Sequence, residues 1–208
     1  MQELTGEIWV TDFTPEAAQK FRERVVMASE ESPEEPIVVY IDSYGGYVDS
    51  LAKMIETLDE IPNPIITVCL GKAMSCGAIL LSHGDVRYVG RHSRVMIHEI
   101  STGTSGDVHD VHADAIESVR LNEYWNGLLA KNCNIQGGYD GFRKIIKSKD
   151  GRDLYLDAES AVKFGIADHV GLPEIETVLQ CQIKPIPAKK RRPAVKKTVK
   201  KPAKPIRK

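Results

Sequence analysis

The stretch IITVCLGKAMSCGAILL, residues 65–81, contains a strand, a turn and a helix in direct succession. Ile65 to Leu70 form a continuous apolar run, which predicts a strand that is buried on both faces. Gly71 ends this run, and the small and apolar residues from about Ser75 to Leu81 predict a helix. A buried strand followed at once by an apolar helix is typical of a parallel sheet with helices covering its faces.

The same alternation continues on both sides of this stretch. Thr14 and Pro15 open the first helix as N-cap and first helical residue, and Ala17, Phe21, Val25 and Ala28 form its predicted buried stripe. Further strands are predicted over residues 6–12, 37–42, 85–89, 94–98 and 166–170, and further helices over 48–60, 108–131 and 157–164. This order predicts an α/β fold with mainly parallel strands.

A glycine pair ends one of the buried strands. Residues 41–46 read IDSYGG and lead from the predicted strand into the helix at Val48. Glycines let the chain turn tightly and leave amide N–H groups exposed at a helix N-terminus, where they stabilise negative charge. The alternative is a plain tight turn without a chemical role.

Ser75 lies among small residues at the predicted junction of strand and helix. This position suits a nucleophile, because small neighbours admit a substrate and the Cys76 amide can face an oxyanion. On local pattern alone, a serine here is more often a helix N-cap. Cys76 is a rival nucleophile, but we expect an apolar setting to raise its thiol pKa and make it inert.

The segment SRVMIHE, residues 93–99, ends an apolar strand with His98. A histidine at a strand end is a candidate general base, although such a residue is more often structural. The other histidines have no such setting and are predicted to lie at the surface or to have structural roles: His83, His92, His109, His112 and His169.

Together with LDAESAVKFGIAD at residues 156–168, these segments resemble the proteolytic subunit of Clp proteases in order and approximate spacing. The resemblance implies a ClpP/crotonase-type fold of repeated ββα units with an extended handle helix. It also implies a serine endopeptidase with Ser75 as nucleophile and His98 as base, and with the Gly46 and Cys76 amides as oxyanion hole. Subunits of this family stack as two rings around a closed chamber, so a homo-oligomer is expected. Short relatives in phage genomes look like head-maturation proteases.

The acid that would complete the catalytic triad is less directly placed by the resemblance. The matching block reads SKDGRDLY over residues 148–155, and without a gap the family aspartate falls on Lys149. A lysine cannot stabilise the histidine imidazolium. A one-residue deletion brings Asp150 into the position, so Asp150 is the predicted acid and Asp153 the alternative.

The charge is divided between the body and the end of the chain. Residues 184–208 contain twelve Lys or Arg and no acid, which leaves 16 basic and 29 acidic residues elsewhere. We therefore predict a peptidase domain over 1–183 and a disordered basic tail over 184–208. The tail either contacts nucleic acid non-specifically or serves as a solvated linker.

The remaining expectations concern compartment and partners. Neither an export signal nor a membrane-spanning run is visible, so the protein is expected in the cytoplasm, with Cys69, Cys76, Cys133 and Cys181 as free thiols. No metal or other cofactor is expected. The chain begins almost at the first core strand, so we expect it to lack the axial loops that contact a AAA+ ATPase, and that partnership stays open.

Two alternatives to a peptidase remain at this point. One is a catalytically silent ring subunit with a role in assembly, which Lys149 at the ungapped acid position favours. The other is a crotonase-type acyl-CoA enzyme, which would leave the Ser75–His98 pair unexplained.

Overall fold

The structure is a computed structural model that describes residues 7–148 and 153–174. Its strands are β1 (Glu7–Val10), β2 (Ile37–Ser43), β3 (Ile65–Met74), β4 (Val86–Val89), β5 (Arg94–Ile97), β6 (Leu154–Leu156) and β7 (His169–Val170). Its helices are α1 (Pro15–Glu31), α2 (Val48–Asp59), α3 (Cys76–Ser82), α4 (Val108–Asn132), α5 (Gly138–Lys147) and α6 (Ala158–Phe164).

The sheet is parallel apart from one strand. Strands β1, β2, β3, β4 and β7 lie side by side in that order, and β5 pairs in parallel with the second half of β3. Strand β6 is antiparallel to β5. The observed architecture is mixed α/β with a mainly parallel sheet, which is consistent with the ClpP type. The predicted fold class is therefore confirmed.

Strand β3 is longer than its apolar run. The sequence predicted an end at Gly71, but the strand continues to Met74 because Lys72 to Met74 pair with Arg94 to Met96 of β5. The prediction of the strand end was therefore wrong. This extension carries the chain to Ser75 as a strand rather than as a loop, with an irregularity at Gly71, whose φ is 106°, where the register with β2 shifts.

The first helix begins where the sequence predicted. The Thr14 side chain accepts a hydrogen bond from the Ala17 amide at 3.1 Å, as an N-cap residue does. Its fully buried face is formed by Ala18, Phe21, Val25 and Ser29. The predicted stripe is thus correct at two positions, whereas Ala17 and Ala28 are only partly buried.

Arg87 ties the ends of two helices to the sheet. Its guanidinium binds both carboxylate oxygens of Asp168 at 2.6 and 2.9 Å. A third nitrogen donates to the carbonyls of Asn132 and Gly165, which lie at the C-terminal ends of α4 and α6. The Arg87 hydrogen bonds lower the pKa of Asp168. One side chain therefore joins β4, α4 and α6.

The helices of the described residues, 7–148 and 153–174, include none that combines the length and apolar character needed to cross a bilayer.

Candidate active site

Ser75 lies between the end of β3 and the start of α3, in a conformation that side chains rarely adopt. Its φ is 55° and its ψ is −119°. The Ser75 amide donates to the Met96 carbonyl at 2.9 Å, which continues the pairing of β3 with β5. The chain must then turn sharply to begin α3 at Cys76. The left-handed backbone at Ser75 makes that turn.

The Ser75 hydroxyl does not cap the helix that it precedes. It makes no side-chain hydrogen bond to the amides of α3. Instead, the Ser75 Oγ lies 2.8 Å from the Nε2 of His98. The N-cap interpretation left open by the sequence is therefore wrong for this side chain.

The register of the sheet brings His98 to Ser75. Met74 pairs with Met96, so both strands end at the same edge of the sheet, one residue before Ser75 and one residue before His98. Carboxyl ends of parallel strands commonly carry sites for this reason. Both side chains are partly buried, so a substrate can reach them while water access is reduced.

The third member of the predicted triad is outside the described residues. Asp150 and Lys149 both lie in the interval 149–152. Asp153, the alternative acid, is exposed, and within 7–148 and 153–174 the only hydrogen bond of the His98 ring is the one to Ser75. The structure thus brings together Ser75 and His98, whereas the assignment of the acid stays a prediction.

The glycine pair leaves no room for side chains, because Gly45 approaches Ser75 and Gly46 approaches Phe13. Gly45 has a φ of 101°, and a Cβ atom on it would lie 2.8 Å from the Ser75 Cβ and 2.9 Å from the Met74 carbonyl oxygen. A Cβ on Gly46 would lie 2.8 Å from the carbonyl oxygen of Phe13. Gly45 therefore lets the backbone pack directly against the strand-helix junction, and Gly46 lets it pack against Phe13.

Gly46 and Cys76 are directly connected. The Cys76 Sγ donates to the Gly46 carbonyl oxygen at 3.3 Å. In the part of the chain that the structure describes, neither the Gly46 amide nor the Cys76 amide has a hydrogen-bond acceptor. Cys76 is the first residue of α3, where the helix leaves its N–H groups unpaired. Within the described residues two backbone donors are thus free, one on the residue after Ser75 and one on a residue in contact with the Cys76 side chain.

The thiols are buried and poorly suited to nucleophilic chemistry. Burial raises the pKa of Cys76, and it raises the pKa of Cys69 and of Cys133 to about 12. A protonated thiol is a weak nucleophile. The prediction that Cys76 is inert is consistent with this direction. The three residues are free thiols as expected, and Cys181 lies outside the described residues.

An ion pair beside the glycine turn was not predicted from the sequence. Lys72 Nζ lies 2.6 Å from Asp42 Oδ1 and 4.5 Å from the centre of the Tyr44 ring. The hydrogen bond with Asp42 raises the pKa of Lys72. The Asp42 carboxylate occupies the space where a side chain at position 71 would lie. Opposite charges near the ends of two predicted neighbouring strands were the available signal for this pair.

Two other predicted structural histidines have partners. His83 lies 2.9 Å from an Asp59 carboxylate oxygen, and the His169 ring packs at 5.0 Å from the Tyr88 ring. Over residues 7–148 and 153–174, no three His, Cys, Asp or Glu side chains are grouped as metal ligands would be.

A protein-family model matches most of the chain. The family model described as Clp protease matches residues 7–174, which is most of the 208-residue chain. Clp proteases generally assemble as rings and act on protein substrates. The chain therefore belongs to the Clp protease family, and its general role is that of a peptidase.

Proposed function

We propose that the protein is a serine-type endopeptidase in which Ser75 is the nucleophile and His98 the general base. The observation that carries the proposal is the 2.8 Å contact between Ser75 Oγ and His98 Nε2. The hydroxyl is placed on a strained turn and is not used to cap α3. A serine held in this way, against a histidine and at a partly open edge, is arranged for nucleophilic catalysis.

In the first half of the reaction, His98 Nε2 takes the hydroxyl proton as Ser75 Oγ bonds to the substrate carbonyl carbon. The carbonyl π electrons move to its oxygen, which becomes an oxyanion. When the oxyanion collapses, the peptide C–N bond breaks. The leaving amine takes the proton from His98, and the acyl group stays on Ser75 as an ester.

In the second half, water attacks the ester and gives a proton to His98. The C–Oγ bond then breaks, and Ser75 recovers its proton from the imidazolium. The new carboxyl end of the substrate leaves. All protons and electrons are accounted for by the substrate, water and these two side chains.

The amides of Gly46 and Cys76 are the proposed oxyanion hole. Both lack protein acceptors within the described ranges; Cys76 directly follows Ser75, and its thiol donates to the Gly46 carbonyl. Donors that are fixed before the reaction stabilise the developing charge without reorganisation, and one such donor typically contributes about 10²–10³-fold in kcat.

Asp150 remains the proposed acid of the triad. His98 Nδ1 needs an acceptor to hold the correct tautomer and to stabilise the imidazolium. Asp150 is favoured by the alignment of residues 148–155 with a one-residue deletion, and Asp153 is the alternative. The assignment rests on the sequence alone.

The setting of the reaction is also part of the proposal. By its family, the chain would act within the chamber of a homo-oligomeric ring, with a AAA+ ATPase partner left open. The sequence, in which no export signal is visible, favours the cytoplasm. The tail of residues 184–208 would contact nucleic acid or another polyanion through its twelve cations.

Labelling with a fluorophosphonate probe, followed by mapping of the modified residue, tests the catalytic assignment. We expect a single adduct on Ser75 and cleavage of a fluorogenic peptide. Both should be lost in Ser75→Ala and in His98→Ala. Ser118→Ala and His83→Ala are matched controls, since the Ser118 hydroxyl on α4 donates to the Asp114 carbonyl and His83 pairs with Asp59. Absence of labelling and of cleavage in a protein that forms rings would instead support the catalytically silent subunit.

A further inference from the structure

His98 is held by the sheet on only one side. Before it, Met96 and Ile97 are paired with β3 and β6. After it, the chain leaves the sheet, and residues 98–105 form neither helix nor strand. A separate contact is therefore needed to hold the backbone that follows the histidine.

Asn122 of α4 supplies such a contact. Its Oδ1 accepts the Ile100 amide at 2.8 Å, two residues after His98. The same oxygen accepts Asn126 Nδ2 at 2.7 Å, and Asn122 Nδ2 donates to the Tyr139 hydroxyl at 2.9 Å. The oxygen of the Asn122 amide must face the two N–H donors, and its nitrogen faces the Tyr139 hydroxyl. The side chain therefore has one orientation in this network.

The surroundings make this network difficult for water to replace. Asn126 is only 2% exposed, and Ile100 is partly buried against the hydrophobic core. Burial also raises the pKa of the Tyr139 hydroxyl. Loss of Asn122 would leave the amide of the partly buried Ile100 without its acceptor, which is costly, so we expect the chain after His98 to shift.

We propose that Asn122 is a positioning residue for the Ser75–His98 pair. It fixes the Ile100 amide, while the sheet fixes Met96 and Ile97, so the backbone is anchored on both sides of His98. Consecutive Cα atoms are only 3.8 Å apart, and a displacement at Ile100 is therefore passed on to the imidazole. The expected effect of Asn122 on turnover rests on the proposed function.

The test compares variants that remove different parts of the network. Asn122→Leu removes the acceptor of the Ile100 amide, whereas Asn122→Asp retains an oxygen in its place. Asn126→Leu is the matched control, because it removes a neighbouring buried amide but leaves the Asn122–Ile100 bond. If Asn122→Leu does not fold, Asn122→Ser replaces it, since its side chain is too short to reach Ile100.

We expect Asn122→Leu to lower kcat about 10- to 100-fold with KM within about twofold, the size of effect produced by small misplacements of reacting groups. Asn122→Asp should recover kcat to within about threefold of the wild type. Asn126→Leu should lower Tm but leave kcat within about threefold. Unchanged kcat in Asn122→Leu, or an equal loss in Asn126→Leu, would overturn the proposal.

A crystal structure of Asn122→Leu gives a readout that does not depend on activity. We expect the distance between Ser75 Oγ and His98 Nε2 to exceed 3.5 Å in this variant and to stay near 2.8 Å in Asn126→Leu. If the wild type failed to label with fluorophosphonate, the proposed function would be wrong, but these distances would still test the positioning. An unchanged distance in Asn122→Leu refutes it.

Discussion

Replacement of Ser75 by glycine should stabilise the protein relative to replacement by alanine. Both changes remove the hydroxyl and its contact with His98. They differ in the backbone, because alanine must adopt the φ of 55° and ψ of −119° that Ser75 has, and glycine adopts this conformation freely. The comparison therefore isolates the strain at the strand-helix junction from the loss of the nucleophile.

The magnitude follows from two opposing terms. A non-glycine residue in a sparsely populated conformation costs of order 1–3 kcal/mol. The greater freedom of glycine in the unfolded chain offsets about 0.4–1 kcal/mol of the gain. The glycine variant should thus exceed the alanine variant by about 1 kcal/mol or slightly more in free energy of unfolding. In a domain of this size, that difference raises Tm by about 2–4 °C.

Urea and thermal unfolding of both variants at equal protein concentration measure this difference. Ser118 on α4 provides the control, because Ser118→Gly in the interior of a helix should be about 1 kcal/mol less stable than Ser118→Ala. The sign of the glycine effect should therefore be opposite at the two positions. If Ser75→Gly were equal to or less stable than Ser75→Ala, the strained turn would be refuted.

Three further predictions follow from the ion pairs and from the sequence. Arg87→Ala should lower the free energy of unfolding by about 2–3 kcal/mol at neutral pH. It removes the guanidinium that binds the Asp168 carboxylate and two helix-end carbonyls, and it leaves the carboxylate only the backbone amide of residue 87. The pKa of Asp168 is lowered in the folded protein. The stabilisation from its pairing with Arg87 is therefore fully present above the usual carboxyl pKa of about 4, and it is lost as the pH falls through the pKa of Asp168 in the folded protein. The difference in free energy of unfolding between wild type and Arg87→Ala, measured by urea unfolding, should thus become smaller in acid. A difference independent of pH would contradict a stabilising Arg87–Asp168 pair. Asp150→Asn should lower turnover by roughly three to four orders of magnitude and Asp153→Asn by far less; a fully active Asp150→Asn enzyme would have to use a dyad or another acid. Deletion of residues 184–208 should leave Tm and peptidase activity unchanged and remove salt-sensitive retention on a polyanion column, and a substantial fall in Tm would show that the tail packs on the body.

The sequence predicted most of the strands and helices of the described residues and missed α5 and β6. Helix α5 was not predicted, because its ten residues contain two glycines and begin directly after a third. Strand β6 was missed because three residues are too few to show alternation. The end of β3 was misplaced because Gly71 normally interrupts an apolar run. Pairing with β5 overrides that local signal, and such pairing has no trace in the residues of β3 themselves.

The sequence by itself determined the order of strands and helices and the residue types at their ends. Apolar runs, the Thr14–Pro15 start and the glycine pair act over a few residues, so they can be recognised without knowing what packs against them. Only the tertiary structure decided which of these ends meet. Ser75 and His98 are 23 positions apart, and Lys72 lies 30 positions after Asp42. Asn122 lies 22 positions after Ile100. Each contact requires that neighbouring strands pair, or that a helix packs on the sheet, with an alignment correct to one residue. Those alignments arise from the packing of the whole core, because a one-residue slip would turn the wrong side chains toward it.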